Sequence, residues 1–269
     1  MPSYVITGAS RGIGFEFLRQ LSANPDNVII GLVRNKASTE AKVAKEVPGK
    51  NIHILQADIT DNEALKDAAV DVARITDAVD YLIANAALVS EWSAYDGIGD
   101  LAQRPEELDR DLLDSFKINV VANIHLFSIF LPLIQKSTVK KVITITSGMA
   151  DNEFVSGFDI APAAPYSISK AAVNSVVAKF SAQYKQDGIL FIGICPGMVE
   201  TGHYDNATPK QLAQMGGMVQ KFSTYAPSFK GPISPEESVS HVLEVIYRVE
   251  IQKGYAGAFV SHYGNRQWL

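Results

Sequence analysis

The amino-acid sequence predicts an α/β protein, a doubly wound parallel β-sheet of about seven strands with helices on both faces. Short runs rich in β-branched residues alternate with longer helix-like segments along almost the whole chain, and parallel strands joined by crossover helices give this pattern. A glycine-rich segment lies directly between the first strand and the first helix. The length of 269 residues and the hydrophobic content of 47 % are sufficient for one large core.

The strand candidates are short and apolar. They cover residues 4–7, 28–33, 52–56, 81–84, 141–146, 190–194 and 258–261. Helical patterns lie near residues 14–23, 62–75, 108–135, 165–185 and 235–249. Two of the helix starts carry a cap residue followed by acids, Thr60-Asp61-Asn62-Glu63 and Ser234-Pro235-Glu236-Glu237, which is typical of a first turn.

The chain shows no internal repeat, no low-complexity tract and no linker between two cores, so residues 1–269 are predicted to form a single domain. Two stretches rich in Gly, Pro and aromatic residues interrupt the alternation, at about 90–105 and 202–233. In a doubly wound sheet, ligands bind outside the carboxyl ends of the strands, and connecting loops there carry function. These two stretches are therefore predicted to be substrate-side loops.

Composition and charge exclude several classes of protein. A net charge of −5 leaves no general electrostatic footprint for nucleic acid, and no basic tract indicates an anionic membrane surface. No secretory signal is visible, and the most apolar stretch, residues 118–134, contains enough polar residues to be a buried core helix and not a membrane span. The single cysteine, Cys195, cannot form an internal disulfide, which favours a reducing, cytoplasmic location.

The strongest local signal is Thr7-Gly8-Ala9-Ser10-Arg11-Gly12-Ile13-Gly14, which follows the first strand and opens a helix. Glycines here let the backbone approach a pyrophosphate, whose negative charge faces the helix amides. A glycine-rich surface turn is the alternative. The order of strand, glycines and helix favours a dinucleotide site in a Rossmann-type sheet.

The end of the second strand indicates which dinucleotide binds. An NAD site places Asp or Glu at this position, where the carboxylate bonds the ribose 2′-hydroxyl. The residue here is Val33, followed by Arg34, and Arg11 lies in the glycine loop. Two guanidinium groups can clamp a 2′-phosphate, so NADP(H) is predicted, unless both arginines are ordinary solvated charges.

Further along the chain, Tyr166 and Lys170 stand four residues apart, on one face of a predicted helix. Such a pair is frequent by chance. Its context gives it weight, because a strand ending at Thr146-Ser147 precedes it and a strand ending at Cys195-Pro196-Gly197 follows it.

These features together resemble the short-chain dehydrogenase/reductase family over essentially the whole chain. The matching pieces are the Thr-Gly-x-x-x-Gly-x-Gly loop, Ala57-Asp58, Asn85-Ala86, Asn119, Ser147, Tyr166 with Lys170, and Pro196-Gly197-Met198-Val199-Glu200-Thr201. As an ordered set they are specific, although each is weak alone.

The resemblance implies four catalytic residues. Tyr166 would be the general acid/base that protonates a carbonyl oxygen as hydride arrives, and Lys170 would lower the pKa of that phenol and hold the nicotinamide ribose. Ser147 would donate a hydrogen bond to the developing alkoxide, and Asn119 would support a water chain that resupplies the proton. Thr146 could take the hydroxyl role if the register slipped by one residue.

The resemblance adds further residues to the NADP(H) site that the glycine loop and Arg34 predict. The whole predicted site comprises Gly8, Ser10, Arg11, Gly12, Ile13, Gly14, Arg34, Asp58, Ile59, Asn85, Tyr166, Lys170, Pro196, Gly197, Val199 and Thr201. Asp58 and Ile59 would contact adenine, Asn85 would contact adenosine, and the residues from Pro196 onward would contact the nicotinamide. A loop cap for Asp58 and a helix cap for Thr201 are the alternatives. A homo-oligomer, dimer or tetramer, built through long helices is also implied.

The chain departs from the family pattern at two places. Ala84-Asn85-Ala86-Ala87 stands where the family has Asn-Asn-Ala-Gly, so the final glycine that allows a close backbone approach is absent. The interval of 19 residues between Ser147 and Tyr166 indicates an insertion at 151–165, since the family more often has about 13.

The segment 202–233 bears on the substrate. It contains Met215, Met218, Phe222, Tyr225 and Phe229, with Gly216-Gly217 as a hinge and no arginine. An apolar lid suits a hydrophobic ketone or aldehyde, although these residues could equally cover the core.

The histidines and the cysteine indicate no further site. The histidine spacings suggest no metal site. His203 either lines the substrate mouth or, as the favoured alternative, is a solvated loop residue, and Cys195 is predicted to be a packing residue. The predicted function is an NADPH-dependent carbonyl reductase. A non-catalytic NADP(H)-binding regulator or scaffold is the alternative.

Overall fold

The computed structural model describes residues 1–203 and 205–269, and its centre is a parallel β-sheet. The strands are β1 Ser3–Thr7, β2 Val28–Val33, β3 Ile52–Gln56, β4 Tyr81–Ala84, β5 Lys141–Ile145, β6 Leu190–Cys195 and β7 Phe259–Ser261. Their order across the sheet is β3-β2-β1-β4-β5-β6-β7, and every pair of neighbours runs parallel. The predicted fold class, a doubly wound Rossmann-type sheet of seven strands, is confirmed.

Helices connect the strands and cover the sheet. They are α1 Gly12–Ser22, α2 Lys36–Glu46, α3 Asn62–Ile75, α4 Ile98–Leu101, α5 Pro105–Phe116, α6 Ala122–Gln135, α7 Asn152–Gly157, α8 Ala164–Tyr184, α9 Pro209–Tyr225 and α10 Pro235–Arg248. A single π-helical turn, Lys117–Val121, joins α5 to α6, so the helix predicted over 108–135 is real but is widened at that turn.

Side chains alternate between the two faces of the sheet, as strand geometry requires. Tyr4 and Ile6 of β1 pack in the cluster that contains the apolar residues of α1 and α10. Val5, between them, packs in a second cluster with residues of α3, α6 and α8. The sheet is therefore buried on both faces, which explains why its strands are almost continuously hydrophobic.

The strand order fixes the place of the ligand site. β1 lies next to β4 in the sheet. The connection after β1 leads to β2 on one side and the connection after β4 leads towards β5 on the other, so a crevice opens at the carboxyl ends of β1 and β4. Thr7 holds that edge together, because its Oγ1 accepts hydrogen bonds from the backbone N–H groups of Asn85 (3.1 Å) and Ala86 (3.0 Å).

The segment 202–233 differs from the irregular loop that was expected. Residues Pro209–Tyr225 form α9, whose start has a capping box between Thr208 and Gln211. Gly216 and Gly217 lie inside this helix, where an added Cβ would meet no atom within 4 Å. The capping signal was present in the sequence, but two mid-helix glycines disfavour a helix by about 1 kcal/mol each and obscured it.

The helical stretch Pro105–Gln135 has the length and apolar character of a membrane span, with a mean hydropathy of 1.6 in its most apolar window. Half of that window is buried inside the protein, and α6 packs against α3. A core helix of a folded domain has these properties.

Candidate active site

The glycine loop is shaped by contacts that exclude side chains. Gly8 and Gly12 have φ values of +67° and +53°, a region that favours glycine. A Cβ on Gly14 would overlap the carbonyl oxygen of Gly8 and lie 2.6 Å from Nδ2 of Asn85. The three glycines therefore let the chain turn tightly and bring the start of α1 close to the end of β1.

The first turn of α1 is open to an anion. The backbone of Arg11 is extended at the N-cap, with no side-chain cap, and the first turn contains no acidic residue. Ser10 and Arg11 are exposed. Backbone N–H groups without intrahelical partners and a nearby guanidinium are what a pyrophosphate requires, so this cradle fits a dinucleotide.

Arg34 is exposed at the end of β2, and Ile59 is buried beyond β3. The carboxylate of Asp58 accepts hydrogen bonds from the backbone N–H (2.9 Å) and Oγ1 (2.8 Å) of Thr60. The backbone bond is the main cause of its lowered pKa, and the charge of Arg34 contributes. Asp58 thus caps the loop after β3 and also lies near Arg34.

Asn85 ties β4 to the glycine loop. Its Nδ2 donates to the carbonyl oxygens of Thr7 (3.0 Å) and Gly8 (3.3 Å). The segment after β4 lacks the glycine that the family pattern has there, but it still lies close to the glycine loop. Gly8 allows this approach, because a Cβ on Gly8 would lie 2.9 Å from Cα of Ala86.

A cavity of about 200 Å³ lies beside this edge of the sheet. Its lining comprises Ile13, Val89, Ser147, Gly148, Met149, Phe154, Tyr166, Cys195, Pro196, Gly197, Met198, Val199, Thr201, His203, Met218, Phe222, Trp268 and Leu269. Seven of the predicted site residues line it together, Ile13, Ser147, Tyr166, Pro196, Gly197, Val199 and Thr201. The other predicted residues lie outside its lining.

Ser147 and Tyr166 reach the same cavity although 19 residues separate them. Ser147 follows β5, and its Oγ accepts a hydrogen bond from the N–H of Met149 (3.2 Å). Ser167 then donates from its hydroxyl to the carbonyl oxygen of Met149, which holds the start of α8 against this turn. Thr146 is buried, with its N–H bonded to the carbonyl oxygen of Ile194 (2.9 Å), so the register favours Ser147.

Lys170 lies one turn further along α8 and is buried, with 3 % of its surface exposed. Its Nζ donates to the carbonyl oxygen of Ile145 (2.7 Å) and lies 5.7 Å from the centre of the Tyr166 ring. Burial lowers the pKa of Lys170 to about 8. The ammonium is thus close enough to Tyr166 to stabilise negative charge on the phenol oxygen.

Asn119 lies in the π-helical turn and is fully buried. Its carboxamide pairs in both directions with the backbone of Leu88 (2.7 and 3.0 Å), and Nδ2 also donates to Oγ of Ser169 (2.9 Å). Ser169 in turn donates to the carbonyl oxygen of Tyr166 (2.7 Å). In this structure Asn119 holds the loop after β4 and the first turns of α8 in register.

The segment after β6 closes the cavity on the cofactor side. Gly197 has a φ of +84°, and the carbonyl oxygen of Pro196 accepts a hydrogen bond from Oγ of Ser238 (2.7 Å). A Cβ on Gly12 would lie 3.3 Å from Cγ2 of Thr201, so this segment reaches the glycine loop. The cradle and the cavity are therefore contiguous.

Cys195 lines the cavity but has the properties of a packing residue. Its Sγ accepts a hydrogen bond from the N–H of Gly148 (3.0 Å), and burial raises the pKa of its thiol to about 11. A thiol in this state is a poor nucleophile.

Sequence reasoning missed much of the apolar lining. Phe154 and Trp268 lie far apart in the chain, and no motif connects them. Met218 and Phe222, from the proposed lid, are buried in the same cluster and line the cavity, so they both cover apolar structure and face the site. His203 is half-buried in the lining, not a solvated loop residue, and burial lowers its pKa.

The fold and the cradle define a dinucleotide-binding protein of Rossmann type, and comparisons with known proteins narrow the class. A family model described as short chain dehydrogenase matches residues 3–212. The chain is 58 % identical over 271 aligned positions to the short chain dehydrogenase virK of Hypocrea virens, with 100 % of both chains covered. It is 51 % identical over 272 positions to the short-chain dehydrogenase/reductase iacC of Pestalotiopsis fici, again with full coverage of both. The chain belongs to the short-chain dehydrogenase family.

Solved structures share the fold. A crystal structure of an NADPH-bound carbonyl reductase from chicken fatty liver matches with a TM-score of 0.76 at 23 % identity, covering 98 % of each chain. The carbonyl reductase Sniffer of D. melanogaster matches with a TM-score of 0.76 at 22 % identity, with the same coverage. Members of this family are oxidoreductases that use nicotinamide cofactors.

Proposed function

We propose that this protein reversibly reduces a ketone or aldehyde of a hydrophobic small molecule to an alcohol, with NADPH as the reductant. The observation that carries the proposal is the shared lining of one apolar cavity by Ser147, Tyr166 and Gly197. The proposed proton donor Tyr166 and the proposed hydrogen-bond donor Ser147 thus face the same cavity as Gly197, whose backbone is expected to contact the nicotinamide.

In the proposed mechanism, the four residues have separate tasks. A bound nicotinamide cofactor would supply the hydride for the carbonyl carbon. Tyr166 donates a proton to the carbonyl oxygen, and Ser147 donates a hydrogen bond to the same oxygen as its negative charge develops. Lys170 stabilises the phenolate that remains. Asn119 keeps α8 aligned through Ser169, and it supports the water chain that returns the proton.

We propose NADP(H) in preference to NAD(H). Val33 stands where an NAD site has a carboxylate, and the exposed guanidinium groups of Arg11 and Arg34 are available to a 2′-phosphate. Asp58, beside Arg34, accepts its hydrogen bonds from Thr60 and is thereby turned to the loop. The NADPH bound to the chicken carbonyl reductase is consistent with this choice.

The lining supports an apolar substrate. Phe154, Met218, Phe222 and Trp268 contribute carbon and sulfur surface to the cavity, and such surfaces favour hydrophobic ligands with one or two polar groups. We therefore propose that the carbonyl is carried by an apolar ring or chain.

An NADPH-oxidation screen against cyclic and aromatic ketones tests the function. We expect turnover with at least one ketone, and a higher kcat/KM with NADPH than with NADH. The protein could instead bind NADPH but neither reduce any ketone or aldehyde with it nor oxidise any alcohol with NADP+. That result would favour the non-catalytic regulator or scaffold. A preference for NADH would contradict the cofactor assignment.

We also propose that the protein is a homo-oligomer, a dimer or a tetramer. Leu113 and Phe116 of α5 and Ile168 of α8 are 71 %, 46 % and 46 % exposed, and these two helices lie side by side. An apolar face of this kind fits a second copy of the chain. Light scattering should give a dimeric or larger mass, and Leu113→Glu should lower it. A monomeric mass for the unaltered protein would contradict the proposal.

We propose that residues 1–269 act as one dinucleotide-binding domain in the cytoplasm. The single cysteine, Cys195, is buried and free, in keeping with a reducing compartment. A fluorescently tagged protein found in an organelle would contradict this location, and a stable, separately folding fragment from limited proteolysis would contradict the single domain.

A further inference from the structure

The segment 151–165, predicted from the sequence to be an insertion, contacts the carboxyl-terminal segment, residues 266–269, at the wall of the cavity. Oδ2 of Asp151, the first residue of the insertion, accepts hydrogen bonds from Nε1 of Trp268 (3.0 Å) and from the guanidinium of Arg266 (2.8 Å). Oδ1 accepts from the N–H of Glu153 (3.0 Å) at the start of α7. The Asp151 carboxylate thus links the start of α7 to the carboxyl-terminal segment.

The Asp151 carboxylate is held in its charged form. Burial acts to raise the pKa of Asp151, but the hydrogen bonds from Arg266, Glu153 and Trp268 outweigh it, so the pKa lies below its ordinary value. The Arg266 side chain is 63 % exposed, and the contribution of this ion pair is therefore screened. The buried bond to the indole N–H is the contact that orients Trp268.

Trp268 also contacts Phe259 through its ring and Tyr225 through its backbone. It is 1 % exposed, and its ring stacks on Phe259 with centroids 4.3 Å apart and planes at 14°. Its backbone N–H donates to the hydroxyl of Tyr225 in α9 (3.1 Å), and that hydroxyl donates to the carbonyl oxygen of Arg266 (3.0 Å). These contacts hold the indole ring between Phe259 and the Asp151 carboxylate.

Trp268 packs against the backbone next to Ser147. A Cβ on Gly148 would lie 2.6 Å from Cβ and 2.9 Å from Cγ of Trp268. The indole also lines the cavity with Phe154 and Phe222, whose rings are 5.9 Å apart. A substrate whose carbonyl reaches Ser147 and Tyr166 therefore has Trp268 close to it.

We infer that Trp268 is a specificity-determining residue that limits the size of an apolar ring attached to the carbonyl, and that Asp151 is its positioning residue. The inference rests on the proposed function, because it concerns the substrate of that site. The cavity measures about 200 Å³, of the same order as the ~150 Å³ cavity that holds benzene, and its lining also includes Gly197 and Thr201 of the proposed nicotinamide side. The room left for a ring on the carbonyl is therefore small, and removal of the indole from the wall should enlarge it.

The test compares two ketones that differ in bulk, cyclohexanone and 4-tert-butylcyclohexanone. In Trp268→Ala, the ratio of kcat/KM for the bulky ketone to that for the small one should rise about tenfold or more, with KM for NADPH within twofold of the unaltered protein. Trp92→Ala is the matched control, because Trp92 is the other tryptophan and packs under Arg104 outside the cavity lining. Its ratio should not change.

Asp151 variants test the positioning role. Asp151→Ala leaves the buried indole N–H without its acceptor and should raise the same ratio severalfold. Asp151→Asn keeps an oxygen acceptor and should restore the ratio to within twofold. If Trp268→Ala does not fold, Trp268→Phe removes the N–H and one ring and should raise the ratio to a smaller extent. An unchanged ratio in a folded Trp268 variant, or an equal change in Trp92→Ala, would overturn the inference.

Tryptophan fluorescence separates this inference from the proposed function. In Trp92→Phe, Trp268 is the single remaining indole, and its emission should change when 4-tert-butylcyclohexanone is added in the presence of NADP+. An emission change without turnover by the unaltered protein would support the role of Trp268 in the cavity and overturn the proposed reductase activity. Turnover without an emission change and without a change in the kcat/KM ratio would overturn the role of Trp268 and leave the proposed reductase activity intact.

Discussion

The two halves of the site are built in different ways. The proposed cofactor half includes residues that directly follow strands, such as Gly8 after β1 and Arg34 after β2, and backbone conformation determines the shape of its glycine loop. The substrate half brings together Phe154, Phe222 and Trp268 from α7, α9 and the carboxyl-terminal segment, and side-chain packing determines its shape. Local geometry thus defines the cradle, whereas tertiary contacts define the cavity.

The largest effect on cofactor binding is expected from Gly14→Ala. The added methyl group would meet the Gly8 carbonyl oxygen and the Asn85 amide, so the cradle must open. We expect the Kd for NADPH to rise about 100-fold, equivalent to ~3 kcal/mol, as measured by titration of NADPH fluorescence. Gly99→Ala is the control, because a Cβ there meets nothing within 4 Å. Equal binding by both variants would contradict the close approach in the loop.

A smaller and more selective effect is expected from Arg34→Ala. Loss of a charge-assisted hydrogen bond to the 2′-phosphate should reduce kcat/KM for NADPH by about 10–100-fold and leave that for NADH nearly unchanged. Lys36→Ala is a matched control, because Lys36 is also an exposed cation and is paired with Glu40 (3.7 Å). Equal losses with both cofactors would refute the 2′-phosphate assignment.

The smallest expected effect is a pH dependence that arises at Lys170, whose Nζ lies 5.7 Å from the centre of the Tyr166 ring. Since burial lowers the pKa of Lys170 to about 8, the free protein loses this charge as the pH rises through 8. The kcat/KM for NADPH, which reports ionisations of the free enzyme, should therefore decrease above that pH.

Stability should change in the opposite direction over the same range. The unfolded chain keeps the lysine proton up to about pH 10.4, so between about pH 8 and 10.4 it binds more protons than the folded protein. The free energy of unfolding should therefore rise across this window by roughly 1–3 kcal/mol relative to Lys170→Met. A kcat/KM that stays constant to pH 10, or no gain in stability over the variant, would contradict the buried, lowered pKa.

The signals of the proposed cofactor half are local, so the sequence could place them. The glycine loop between β1 and α1 and Arg34 at the end of β2 lie where the pattern predicted them, and the parallel sheet of seven strands is confirmed. The insertion could be located between Ser147 and Tyr166, but its partner could not. Asp151 and Trp268 are separated by 117 positions, and only the folded chain brings their side chains together.

α9 shows a second kind of limit. Its capping box was readable at Thr208 and Gln211, yet the paired glycines inside the helix are typical of a loop. Burial of Met218 and Phe222 against the third apolar cluster is a tertiary contribution that offsets this weak helical propensity.

The proposed proton transfer from Tyr166 can be tested with a single substitution, Tyr166→Phe. The substitution keeps the ring in the cavity and removes only the proton donor. We expect an unchanged Kd for NADPH, together with a decrease of at least ~10²-fold in ketone reduction. Reduction of the ketone by the variant at the rate of the unaltered protein would contradict the role of Tyr166 as proton donor.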